Sequence, residues 1–133
     1  MRTLSLSLIL ALAACLLAAP AHAFPDFQKV YFKEYAGSDA DPQLAKDIKK
    51  AKCFNCHQGK SKKHHNPFGQ HLVGKLGKAD RKDTDKILAV LTEVMALPSD
   101  PTHEGSPTYA ELMAENKLPG GTLEDCKKPP AEE

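Results

Sequence analysis

The chain has 133 residues, of which 26% are charged and 41% hydrophobic, with a net charge of +1 and no tryptophan. That length holds one domain with a small core, and the near-neutral balance excludes the strongly polybasic class of nucleic-acid binders. Aromatic residues make up only 6% and there are 10 prolines, so side-chain burial alone is thin for this size and a buried cofactor would help to account for it.

Residues 1–23 read as a cleavable export signal, with a basic head at Arg2, an apolar run from Leu4 to Ala19 and a small-x-small site at Ala21-His22-Ala23. A membrane-spanning helix needs about 20 apolar residues, and this run is shorter and meets Pro20. Cleavage after Ala23 leaves 133 − 23 = 110 residues in a periplasmic or otherwise exported location. Leu12-Ala13-Ala14-Cys15 offers a second reading as a lipoprotein box, and only acylation at Cys15 would then hold the protein to a membrane.

Beyond the signal, residues 24–126 form the expected domain and 127–133 an expected disordered tail. Phe27, Val30, Tyr31 and Tyr35 suit either a helix or an arm lying on the domain. Asp41-Pro42 predicts a helix start, because the carboxylate caps an orphan N–H while proline occupies the first turn. That helix spans 42–54, with Leu44, Ile48 and Ala51 on one face and Cys53 at its end. By the same chemistry Asn66-Pro67 predicts a helix over 67–76, with Phe68, Leu72 and Leu76 inward and Gly77 as its stop. Asp83 caps a third, whose stripe of Ile87, Leu91, Val94 and Met95 ends before Pro98. Ser106-Pro107 opens the last, over 107–117, with Tyr109, Leu112 and Met113 inward, and Leu118-Pro119-Gly120-Gly121 halts it. No alternating strand pattern of useful length occurs, so the expected class is all-α with about four helices.

Charge is unevenly divided. Residues 24–82 carry 13 Lys and Arg against 6 Asp and Glu, a net of +7, whereas residues 83–133 carry 4 against 11, a net of −7. Lys46, Lys49, Lys50, Lys52, Lys60, Lys62 and Lys63 all bracket one short motif.

That motif is Cys53-Phe54-Asn55-Cys56-His57, the C-x-x-C-H signature of haem attachment. Two thiols one helical turn apart can add to both vinyl groups on one porphyrin edge, and the adjacent imidazole then reaches the iron. The same residues leave other readings open. Zinc could use Cys53 and Cys56 with His64 or His65, and a disulfide or thioredoxin-like pair could use the two cysteines, although the βαβ context of the latter is missing.

In this motif, the helix leading into it and the helical remainder closing near Leu118-Pro119-Gly120-Gly121, the sequence resembles the small single-haem bacterial c-type cytochromes. The resemblance implies one covalent haem c wrapped by the helices, with Cys53 and Cys56 as thioether positions and His57 as proximal iron ligand. It also implies a methionine as distal ligand, and Met95 and Met113 are the two candidates, although neither lies in a Met-Pro loop. For each, core packing is the competing reading. His71, His64, His65 and His103 are further imidazoles to place.

Electron transfer is the implied function, with redox proteins bearing an acidic docking surface as partners. The alternative is a five-coordinate haem that senses a gas or reacts with peroxide; carrier rather than enzyme is the expectation. Cys126 has no intrachain partner once two thiols hold haem and Cys15 is removed, and reads as a loosely held tail thiol, either pairing between chains or left as an unpaired surface cysteine.

Overall fold

A computed structural model describes residues 24–130, so the expected export signal, Cys15 and the last three residues lie outside the described part. The described chain is mostly helical, with six α-helices, two short 3₁₀ turns and one small two-stranded ladder. The ladder and two additional helices depart from an all-α arrangement of about four helices.

The segment before residue 40 is a helix, α1 (Pro25–Tyr35), entered through Pro25 and closed by the Ala36 N–H donating to the Phe32 carbonyl at 3.0 Å. It buries Tyr31 and packs against α2 and α4. Helix α2 (Pro42–Ala51) starts where expected, with Asp41 Oδ1 accepting from the Gln43 and Leu44 amides at 2.8 and 3.1 Å. Its face of Leu44, Ala45, Ile48 and Ala51 is buried. It ends three residues before Phe54, because Lys52 turns to φ 52° and the chain tightens into a 3₁₀ turn over Lys52–Asn55. Asn55 supports that turn by donating Nδ2 to the carbonyls of Ile48 and Lys52, a local side-chain bond that competes with helix continuation.

Strands β1 (His57–Gln58) and β2 (His64–His65) pair antiparallel, His57 opposite His65. Helix α3 (Pro67–Gln70) has its expected Asn66 cap but lasts one turn. Its extension is replaced by tight turns in which Leu72 and Val73 donate to the carbonyls three residues back, and Gly74 at φ 79° then redirects the chain. A 3₁₀ turn at Lys78–Asp80 leads to α4 (Thr84–Met95), capped by Asp83 and buried along Ile87, Leu91, Val94 and Met95 as its periodicity predicts.

Helix α5 (Tyr109–Ala114) begins at Thr108, not Ser106. Thr108 and Glu111 form a reciprocal capping box, whereas Ser106 Oγ is used in the preceding loop, donating to the Asp100 carbonyl and accepting from its amide. A last helix, α6 (Leu123–Lys127), is capped by Thr122 and buries Cys126. Lys127 therefore belongs to a helix, and the chain beyond it passes Gly59, where an added Cβ would sit 3.7 Å from the Pro129 Cα. The core runs through Tyr31, Phe68 and Tyr109, whose neighbouring ring centroids are 6.1 and 5.2 Å apart, and is closed by Ile48, Ile87 and Val94. Among the described residues no helix is long and apolar enough to cross a membrane.

Candidate functional site

The C-x-x-C-H segment leaves the core-facing end of α2, and one buried side chain fixes its path. Asn66 donates Nδ2 to the carbonyls of Phe54 and Asn55 at 3.0 and 3.2 Å, and its backbone N–H donates to the Cys56 carbonyl at 3.1 Å. Its Oδ1 accepts the Gly69 amide at 2.9 Å. Such full use of a buried amide pins the motif against α3. Two glycines make the approach close enough: a Cβ at Gly69 would lie 1.9 Å from the Cys56 carbonyl oxygen, and one at Gly120 would lie 2.0 Å from Asn66 Nδ2.

Cys126 is part of this support. It is 3% exposed, its thiol donates to the Gly120 carbonyl at 3.2 Å, and its carbonyl accepts the Gly59 amide at 2.9 Å. The expected loose tail thiol is thus a buried one, held because α6 docks on the turn carrying the motif and on β1.

Cys53, Cys56 and His57 share the wall of one cavity of about 340 Å³. The rest of that wall is mainly apolar: Phe24, Phe27 and Tyr31 from the α1 side, Leu72 and Leu76 after α3, and Ile87 and Leu91 from α4. Gln28, Asn55 and His65 also border it. The His65 ring lies alongside the His57 ring, with centroids 4.8 Å apart and planes tilted by 32°.

Among the described residues, five side-chain polar atoms are buried with no hydrogen-bond partner: Gln28 Nε2, Tyr31 Oη, Asn55 Oδ1, His57 Nδ1 and Tyr109 Oη. Four of these five belong to residues bordering the cavity.

Burial holds His57 below the ordinary histidine range, against an opposing effect of the His64 and Lys62 backbone, so at neutral pH its imidazole is neutral and has a lone pair to give. Burial likewise pushes the Cys56 thiol up to about 12, with Cys53 and Cys126 adding to the rise. A thiol that stays protonated is not the activated thiolate of a redox pair.

The other sequence candidates are placed elsewhere. Met95 and Met113 are 5% and 7% exposed and pack in the hydrophobic core, and neither borders the cavity. His71 sets its ring edge-on to Tyr109 at 5.7 Å, His64 is exposed on β2, and His103 lies in the exposed loop before α5. Among the described residues no three His, Cys, Asp or Glu side chains are grouped to hold a metal ion, so Cys53 and Cys56 with His64 or His65 do not assemble the tetrahedral set that zinc requires.

Sequence reasoning missed Gln28, Gly69, Gly120 and the structural part of Cys126. Asn66 carried a signal, since Asn-Pro marks it as a cap, but its grip on the motif is tertiary. The donor set fits a c-type haem: two thiols and a neutral imidazole on one wall of an apolar cavity. In comparisons with known proteins no family model matches the chain, and neither does any curated protein or solved structure.

Proposed function

We propose that this chain is an exported c-type haem protein that carries electrons. The observation that carries the reading is the placement of Cys53, Cys56 and His57 together on the wall of one largely apolar cavity. Cys53 and Cys56 would hold the porphyrin through thioethers, His57 would ligate iron, and α1, the residues after α3 and α4 would wrap the macrocycle. The haem supplies a one-electron change at iron; the protein supplies attachment, exclusion of water and a neutral imidazole.

The basic rim supports a protein partner. Lys46, Lys49, Lys50, Lys52, Lys60, Lys62 and Lys63 are all exposed, and the five ion pairs among the described residues use none of them. Seven exposed cations around the motif, of which Lys62 lies over the Phe54 ring at 5.8 Å, suit a redox partner with an acidic surface.

One observation favours a second reading. With Met95 and Met113 away from the cavity, no thioether among the described residues stands ready as a distal ligand, which suits an iron open to a small molecule, as in a gas-binding or peroxidase-like protein. Absorption spectra of protein purified from a host that matures c-type cytochromes test the shared premise. An intense haem band that shifts on reduction, and that disappears from a Cys53→Ala/Cys56→Ala variant, is expected; colourless wild-type protein would remove both readings.

A further inference from the structure

His57 and His65 stand directly opposite each other in the β1–β2 ladder. Their rings lie alongside one another, with centroids 4.8 Å apart and planes tilted by 32°, the arrangement of an offset stack. Two backbone contacts hold His65 there: the ladder itself, and the next residue, Asn66, which is 1% exposed and donates its N–H to the Cys56 carbonyl at 3.1 Å. Both histidines border the cavity. A ligating histidine nearly always donates its second ring N–H to a carbonyl, a carboxylate or water, and that bond fixes the plane of the ring. His57 departs from this. Its Nδ1 is buried and has no hydrogen-bond partner among the described residues. The His64 and Lys62 backbone tempers the effect of burial on the ring's charge, yet does not meet hydrogen-bond geometry at that atom. The plane of the His57 ring is therefore left to the ring stacked beside it.

We propose that His65 is the positioning residue for the proximal ligand: its ring, stacked on one face of His57, sets the plane that the His57 imidazole keeps when its Nε2 ligates iron. The inference rests on haem attachment at Cys53, Cys56 and His57. A ligand imidazole can turn about its iron–nitrogen bond, and thioethers at Cys53 and Cys56 leave that rotation open. An aromatic stack weights one plane over the others by roughly two- to tenfold. The plane decides how the π orbitals of the imidazole meet those of the metal. His65 thereby acts on the electronic structure of the oxidised iron through His57, with no change in which atoms bind it.

The test uses the full haem-loaded chain in its oxidised form. It reads the paramagnetically shifted NMR resonances of the haem ring methyls, whose order and spread report the plane of an axial imidazole. His65→Ala is expected to change that order and to compress the spread, because a ring no longer stacked averages over several planes. His65→Phe keeps a flat aromatic face without the ring nitrogens and is expected to restore the wild-type order. His65→Gln keeps a polar side chain without a ring and is expected to behave as His65→Ala does, so it carries the same test should His65→Ala fold poorly. His65 is exposed on β2, and the ladder it belongs to is made by backbone groups, so these variants are expected to keep the wild-type far-ultraviolet dichroism. Ring-methyl shifts in His65→Ala or His65→Gln that match the wild type would overturn the positioning role alone, as would a His65→Phe pattern no closer to the wild type than theirs. Wild-type protein with no haem absorption at all would overturn it together with the function proposed above.

Discussion

Asn66 is the residue on which the geometry of the motif turns, because it satisfies the carbonyls of Phe54 and Asn55 while capping α3. Asn66→Ala leaves those buried carbonyls short of a donor and opens a void beside Cys126, and the expected loss is about 2–4 kcal/mol, to be read from urea unfolding. Asn66→Asp is expected to be no better, since it keeps the acceptor for Gly69 and loses both donors. The thiols give a second prediction at this scale. Cys56 sits at about 12 in the folded chain and near 9 when unfolded, so folding favours the protonated thiol. The unfolded state therefore releases its proton first as pH rises, and stability is full below pH 9 and declines above it, by at most about 1.4 kcal/mol per pH unit up to about 12. Unfolding curves of the free-thiol chain between pH 8 and 11 check this, and Cys56→Ala should flatten the decline.

At the scale of elements, the caps decide where helices begin, and their worth is measurable. Asp41→Ala removes the acceptor for two amides at the start of the helix that delivers the motif, and Thr108→Ala breaks the capping box of α5; each is expected to cost about 1 kcal/mol. The same chemistry explains what could be read beforehand. Asp41-Pro42 and Asp83 gave correct starts for α2 and α4, because cap and apolar period agreed. Ser106-Pro107 misplaced the start of α5, since Thr108 with Glu111 three residues on is the stronger box and Ser106 is spent on Asp100. The helix over 67–76 was overextended because its apolar spacing is met by tight turns as well, and Gly74 at φ 79° settles the matter in favour of turns. Helix α6 has too few residues to show a period; it exists because Cys126 and its carbonyl find partners at Gly120 and Gly59. The motif itself was plain in five residues, whereas the part of the cavity wall that α1 supplies depends on how α1 packs against α4, which no local pattern records.

At the scale of the whole molecule, the exposed lysines that bracket Cys53–His57 in sequence and take part in no ion pair set up a local positive field, within a sequence basic over residues 24–82 and acidic over 83–133. Such a field acts on encounter more than on affinity, and salt screens it over about 10 Å at 0.1 M. Lys60→Gln/Lys62→Gln/Lys63→Gln is expected to slow electron exchange with an acidic partner protein at low salt and to match the wild type at high salt; stopped-flow rates across ionic strength check it. The fold has a cavity bordered by two thiols and a neutral imidazole, and every functional statement depends on what fills it. Intact-mass measurement of the chain, made in a host that matures c-type cytochromes, addresses that most directly. The account predicts a chain heavier by one haem, with the addition lost from Cys53→Ala/Cys56→Ala; a mass equal to that of the polypeptide alone would contradict it.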